Sequence, residues 1–298
     1  MQFRRISKHP ARLGECPLWC DETRHLWWVD VLEGALWSWQ SETGETERHP
    51  ILARRLGSIG LCRDNTLILA CDDGIYHYDP GTAEQTFLTD PEPGHIGFRK
   101  NDGRVDPYGN FWVGTLREQD YAPIGALYRM RLGGRTDTMA TGLSIPNALA
   151  FDAARKRVYF GDTRAHRIWI CDLTPDGPLS ERRLFAETEG PSRPDGSCID
   201  ADGNLWNAVY AGGRLHQYSP DGDLRQTLAL PVSHPTCLAF GGPELKTLFV
   251  TCAAEPLSEA ERAAEPLAGH VLAIETDIVG RPEYRADFSL QTVRSFAQ

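Results

Sequence analysis

The sequence predicts an all-β chain folded as a six-bladed β-propeller. Three observations predict it. One pattern of short strands and tight turns recurs six times, the strands alternate apolar with polar residues, and one polar residue returns at the same place in every copy.

The repeats begin with CPLWCDETRHLWWVDVLEGALWSW at Cys16 and IGLCRDNTLILACDDGIYHYD at Ile59. The third is DGRVDPYGNFWVGTL, completed by GALYRM from Gly125. ALAFDAARKRVYFGDTRAHRIWICD follows from Ala148 and GSCIDADGNLWNAVYAGGRLHQYS from Gly196. The sixth, CLAFGGPELKTLFVTCA from Cys237, is completed by GHVLAIE from Gly269. Trp, Tyr, Phe, Val, Ile and Leu fill the strands, and Asp-Gly, Asp-Asn and Gly-Asn pairs supply the positive φ that tight hairpins need. Four strands per copy at this period describe a propeller blade. A blade cannot bury both faces alone, so the 298 residues are expected to form one domain spanning 1–298. Residues 3–6 are expected to close the ring against the last blade, hiding a sheet edge. Residues 257–264 read instead as a short helix inside the sixth blade, with Ser258 and Glu261 spaced as a capping box.

Composition narrows the partners. The net charge of −10 disfavours nucleic acid. No apolar window is long enough to span a bilayer, and the basic residues Arg4, Arg5 and Lys8 have no apolar stretch behind them, so neither a membrane nor a leader peptide is expected. The eight cysteines are scattered through strand patterns without a zinc spacing and read as free buried thiols of a cytoplasmic protein. A monomer is the plain expectation. Trp27, Trp28, Trp112 and Trp206 read as blade core, and His234 as a hydrogen-bonded loop histidine. Asp200-Ala201-Asp202-Gly203 lacks the glutamate that a calcium-binding EF-hand loop requires.

The recurring polar residues are Glu15, Ser58, Asn101, Asn147, Asp195 and Thr236, spaced by 41 to 48 residues. The first strand of each propeller blade lines the central axis, so these six positions are expected to ring the channel mouth. Two carboxylates and amide oxygens gathered there make a hard, oxygen-rich pocket for one divalent cation: Ca²⁺, Mg²⁺, Mn²⁺ or Zn²⁺. Glu15 and Asp195 would balance its charge, Asn147 would add a neutral oxygen, and open positions would remain for water and substrate. No G-x-S-x-G elbow, H-E-x-x-H, P-loop or G-x-G-x-x-G sequence points to another chemistry.

GECPLW at Gly14, RKNDGRVDPYGNFWVGT at Arg99, PNALAFD at Pro146, PDGSCIDADGNLW at Pro194 and CLAFGGPELKTLFVT at Cys237 together resemble the senescence-marker-protein/gluconolactonase family. That family includes regucalcin and the bacterial aldonolactonases. The resemblance implies a six-bladed propeller with a divalent metal on Glu15, Asn147 and Asp195, and substrate hydroxyls held by Arg99 and Asn101. It also implies hydrolysis of small sugar lactones with Asp195 as general base. A substrate-contacting glutamate of some members falls on Gln119 here, with Glu118 beside it. Two other functions share the scaffold: an organophosphate or aryl ester hydrolase, and a calcium-binding propeller without catalysis.

Overall fold

The computed structural model describes residues 2–288; the predicted single domain also included residue 1 and residues 289–298, which lie outside them. Strand β1 (Phe3–Arg5) precedes the first blade, which is β2 (Gly14–Cys20), β3 (His25–Asp30), β4 (Ala35–Gln40) and β5 (Thr46–His49). The second is β6 (Leu56–Cys62), β7 (Leu67–Cys71), β8 (Gly74–Asp79) and β9 (Glu84–Thr89). The third is β10 (Phe98–Val105), β11 (Phe111–Arg117), β12 (Gly125–Met130) and β13 (Thr136–Leu143). The fourth is β14 (Pro146–Asp152), β15 (Arg157–Asp162), β16 (Arg167–Asp172) and β17 (Arg183–Glu187). The fifth is β18 (Arg193–Ile199), β19 (Leu205–Tyr210), β20 (Arg214–Tyr218) and β21 (Leu224–Ala229). The sixth holds β22 (Pro235–Gly241), β23 (Thr247–Cys252) and, after helix α1 (Glu259–Ala264), β24 (Leu272–Glu275).

Strand β1 completes the sixth blade by pairing with β24, Arg4 opposite Ala273, so the ring closes through the beginning of the chain as the sequence predicts. The helix also forms as expected: Ser258 caps it and exchanges the reciprocal capping-box bonds with Glu261. Among the described residues no helix is long and apolar enough to cross a membrane.

Apolar residues collect in six wedges, each between two neighbouring blades. Leu18, Val29, Ile59 and Leu69 fill the first, and Trp19, Trp28, Trp39 and Phe249 fill the one that joins the sixth blade to the first. Trp112 and Trp206 are buried in wedges of their own blades, as predicted. Both also fasten a turn. Asp106 accepts hydrogen bonds from the backbone of Tyr108 and Asn110 and from the Trp112 indole (2.8 Å); Asp200 does the same with Asp202, Asn204 and Trp206 (3.0 Å). The Asp200 carboxylate is thereby committed to its turn, consistent with the rejection of a calcium loop. All eight cysteines are free and buried.

A second device fixes the upper ends of the inner strands. Asp30, Asp72 and Asp162, at or just past the end of the second strand in three blades, each accept backbone N–H bonds from the loop that enters the inner strand. Their donors are Arg12 and Leu13, Arg54 and Arg55, and Ser144 and Ile145. Each entry loop is tied two residues or so ahead of the ring position.

One feature lies outside the repeat. Residues 280–286 cross the far mouth of the channel, where β25 (Arg285–Ala286) pairs in parallel with β6. Arg281 bonds Asp152 (3.1 Å), Glu283 faces Arg104 (3.7 Å), and Arg285 bonds Asp21 (2.9 Å). The channel is thus closed at one end.

Close packing of inner strands leaves Gly196 no alternative. A Cβ there would lie 2.3 Å from the Cys237 sulfur. Gly196→Ala is therefore expected to lower unfolding stability by about 1–3 kcal/mol, read as a fall in the urea midpoint; an unchanged midpoint would show that the inner strands can separate.

Candidate functional site

All six inner strands break register at the predicted ring. The irregularities fall between Glu15 and Leu18, Leu56 and Ser58, Lys100 and Gly103, Asn147 and Ala150, Pro194 and Ser197, and Pro235 and Cys237. A bulge bends its strand and re-aims a side chain. Here the bulges lie where polar side chains turn toward the axis near the end of each inner strand; β2, β6, β14 and β22 are otherwise mostly apolar, whereas β10 also carries Arg99, Lys100, Asp102 and Arg104. Cys16 (φ 48°) and Ala148 (φ 58°), directly after Glu15 and Asn147, take the left-handed conformation, which is rare for residues with a side chain.

Four of the six ring residues open onto one cavity of about 260 Å³: Glu15, Asn101, Asn147 and Asp195, joined there by Arg99. The other two are buried in the inner strands and do not line it. Thr236 donates to the Gly14 carbonyl and contacts Thr251, while the Ser58 hydroxyl has no partner.

The amides are oriented by their neighbours. Thr163 gives its one hydroxyl proton to the Pro194 carbonyl (2.8 Å), so it accepts from the Asn147 Nδ2 (2.7 Å), and the Asn147 oxygen must face the ring. That oxygen already receives one bond from Asn101 Nδ2 (2.9 Å). Asn101 is fixed in turn because Arg99, which can only donate, points Nη1 at its oxygen (2.6 Å). Asp195 is 5% exposed, and its Oδ1 has no hydrogen-bond partner. A buried carboxylate oxygen without a donor is unfavourable unless a cation or substrate meets it.

Charge makes the same demand. Glu15 is part-buried, its exposed portion facing the cavity. Removal from bulk water, then the nearby Asp102 carboxylate, pushes its pKa up to about 8. Asp195 is pushed well above the usual carboxylate range by burial and by Glu15. Asp102, raised by burial to about 6, adds a third acid; its Oδ2 is held by the Leu149 backbone N–H (2.9 Å). A dication among these groups would restore both carboxylates to their ionised forms. The donor set of Glu15, Asn147 and Asp195 is all oxygen, drawn from three blades, and so could hold a hard divalent ion. A different group, Cys62, Asp64 and His77, also stands close enough to ligate an ion. It lies at the other end of the second blade, where the Thr66 hydroxyl bridges Asp64 and His77 and burial pushes the Cys62 thiol up to about 12. Thr66 thus satisfies Asp64 and the His77 Nε2 but leaves the buried His77 Nδ1 without a partner; with its thiol held protonated by burial, the group fits a hard divalent ion less well than the all-oxygen set.

Glu118 and Gln119 are placed differently from the resemblance's implication. Gln119 is exposed in a turn, and neither residue lines the cavity. Glu118 stands behind Arg99, sharing its carboxylate between Arg99 Nε (3.3 Å) and Arg55 Nε (3.2 Å). His234 bonds Ser233 and stacks edge-on to Tyr210, the loop role predicted for it. Sequence reasoning missed Tyr121, Arg164, Arg193 and Tyr210, which complete the cavity wall. Only Arg193 carried a signal, standing two residues before a ring position as Arg99 does.

A family model described as SMP-30/Gluconolactonase/LRE-like region matches residues 13–254. The chain belongs to this family. It is 36% identical to the 6-deoxy-6-sulfogluconolactonase of Pseudomonas putida, over 93% of this chain and 96% of that protein. It is 31% identical to pentonolactonase XacC of Haloferax volcanii, over 97% and 100%. Among solved structures, a calcium-binding protein, regucalcin, from Agrobacterium tumefaciens superposes with a TM-score of 0.92 at 28% identity, covering 96% of this chain and 98% of that one. The six-bladed propeller is the family's fold.

The raised carboxyls fix a pH dependence for the metal-free protein. The folded state holds protons that the unfolded chain has already released. This contribution is complete below the ordinary carboxylate range and is lost as pH rises through about 6 for Asp102 and about 8 for Glu15. With chelator present, the melting temperature should fall more steeply between these values in the native sequence than in Glu15→Gln, and added divalent cation should flatten the difference. Superimposable profiles would remove Glu15 from the charge cluster.

Proposed function

We propose that this chain is a metal-dependent sugar lactonase that opens cyclic aldonate esters to aldonic acids. The observation that carries this reading is the meeting of Glu15, Asn147 and Asp195 in one cavity with the Asp195 Oδ1 unsatisfied. The names of the relatives support the substrate class. Glu15, Asn147 and Asp195 are assigned to hold one divalent ion; the oxygen donors suit Ca²⁺, Mg²⁺ or Mn²⁺, and Zn²⁺ can also accept them. When bound, the ion supplies Lewis-acid polarisation of the ester carbonyl.

The residues of the chain do the rest. Arg99 and Asn101 bind the sugar hydroxyls and set the lactone's orientation; Glu118, with Arg55, keeps the Arg99 guanidinium in place. Asp195 has two oxygens for two tasks, one to hold the cation and one to take a proton from the attacking water. The water oxygen bonds to the acyl carbon, the bond from acyl carbon to ring oxygen breaks, and the proton held on Asp195 passes to the departing ring oxygen. The strap across the far mouth keeps bulk water from entering from below. Every residue in this scheme belongs to one chain, so a monomer suffices, and eight unpaired thiols fit a reducing cytoplasm.

The test is a pH-indicator assay on a panel of five- and six-membered sugar lactones beside aryl and phosphate triesters. Chelated enzyme should be inactive and recover on refilling with a divalent cation. Asp195→Asn should lose roughly 10²–10⁴ in kcat while its circular dichroism stays native. Turnover that survives chelation or this substitution would end the assignment, and preference for the triesters would move the function to another ester. Arg99→Met should act mainly through KM, by on the order of tenfold or more, since the hydroxyls it binds are remote from the breaking bond; a loss confined to kcat would place Arg99 at the reacting atoms instead.

A further inference from the structure

Two arginines on the cavity wall have no anionic partner. Arg193 opens β18 and lies across the ladder from Tyr210; Arg164 follows Thr163 in the turn after β15. Both line the same cavity as Asp195. Arg193 is half-buried, and its Nε is buried without a hydrogen-bond partner. Arg164 sits at the exposed rim, its guanidinium 5.6 Å above the Tyr121 ring, and gives one bond to the Asp120 carbonyl (3.2 Å). Among the described residues no carboxylate pairs with either.

The neighbouring charged side chains do have partners of opposite sign. Arg55 and Arg99 share Glu118, and Arg117 pairs with Asp120. Glu15 and Asp195 would be matched by the dication of the proposed function. What remains on one wall is two guanidinium groups that no carboxylate meets, in a chain whose net charge is −10. A desolvated N–H without an acceptor is unfavourable unless a ligand supplies one. A neutral polyol would satisfy the N–H but leave the charge. The planar guanidinium fork matches a sulfonate, phosphate or carboxylate, and two such groups at different depths define a direction for it.

Resting on the lactonase reading, we propose that the substrate is an anionic sugar lactone, with a charged group on the carbon remote from the ester, bound by Arg193 inside the cavity and by Arg164 at its rim. The ester end then lies over Glu15, Asn147 and Asp195, and the anion lies against the opposite charge. Tyr121 lies beneath the Arg164 guanidinium, and Tyr210 lies across the ladder from Arg193.

The experiment compares kcat/KM for gluconolactone bearing a hydroxyl, a sulfonate, a phosphate or a carboxylate at its terminal carbon. At least one charged lactone should exceed the neutral one by about tenfold or more. The three anions distinguish the source of the charge. In Arg164→Met/Arg193→Met the ratio of charged to neutral substrate should fall toward one through a rise in KM for the charged lactone, and Arg193→Lys should keep part of it. Rising salt should lower the ratio in the native enzyme and leave it flat in the double variant. Equal or better use of the neutral lactone, or a preference that survives the double substitution, would overturn the proposal while leaving lactone hydrolysis intact. Failure to open any lactone would instead overturn the lactonase reading. Calorimetry with the open-chain sulfonated and neutral aldonates then decides the arginine site separately: tighter binding of the charged acid, lost in the double variant, upholds it, and equal binding ends it.

Discussion

The structure turns on an electrostatic conflict between Glu15 and Asp195. Two acids from the first and fifth blades are brought to one enclosed space, with Asp102 close behind them, and burial makes their ionised forms unfavourable. Among the described residues no basic side chain pairs with either acid; Arg99 opposes the shift of both but is engaged with Asn101 and Glu118. A protein that only had to be stable would fill such a position with apolar residues. The bulges that aim these side chains, the left-handed Cys16 and Ala148, and the aspartates that tie the entry loops all work against relaxation of the ring. The rest of the fold supplies what this arrangement needs: six apolar wedges stiff enough to hold the inner strands in register, and a strap that closes the channel below.

Much of this was legible in the sequence because a propeller repeats. A residue seen once, such as Asn147 before an apolar run, reads as a strand end; the same position seen in six blades reads as a ring. The fold and the cavity-facing Glu15, Asn101, Asn147 and Asp195 came from that periodicity, the closing strand from the need to hide a sheet edge, and the capped helix from the spacing of Ser258 and Glu261. What could not be read is what the repeat does not generate. Residues 280–286 have no counterpart in other blades. Tyr121, Arg164 and Tyr210 sit at turns or strand ends on the cavity side, where neighbouring blades carry unrelated residues. Counting from Gly114-Thr115 located Glu118 and Gln119 along the chain but not around the strand's twist, and the turn there directs Gln119 to solvent and Glu118 behind Arg99. Asp102 was hidden by its own neighbour: adjacent to Asn101 within one bulge, it carries no separate register signal.

The division between the two kinds of residue is physical. Ring residues occupy inner-strand positions where backbone hydrogen bonds and neighbouring blades over-determine direction, so their chemistry is set by the scaffold. Wall residues sit at the margins of the scaffold, Arg164 in a turn anchored through Asp162, and Arg193 and Tyr210 paired at the outermost rung of β18 and β19. Changing a ring residue disturbs the charge conflict itself. Changing a wall residue leaves that conflict in place and alters what can lie against it. A propeller of this kind can therefore keep one reaction while its substrate range is altered by loop substitutions.

Charge also has a layout within the cavity that a list of lining residues does not convey. The acids and the oriented amides share the inner-strand ring, and the unpaired arginines stand on the fourth- and fifth-blade side. A substrate with one end electron-rich at an ester and the other end charged meets an ordered field rather than a uniformly polar bowl. Such a field selects orientation before any contact is tight, since reversing the molecule would set an anion beside Glu15 and Asp195 and leave Arg193 without an acceptor. In the proposed reading the same two carboxylates that demand a cation also forbid the wrong end of the substrate, so metal binding and substrate polarity follow from one placement of charge.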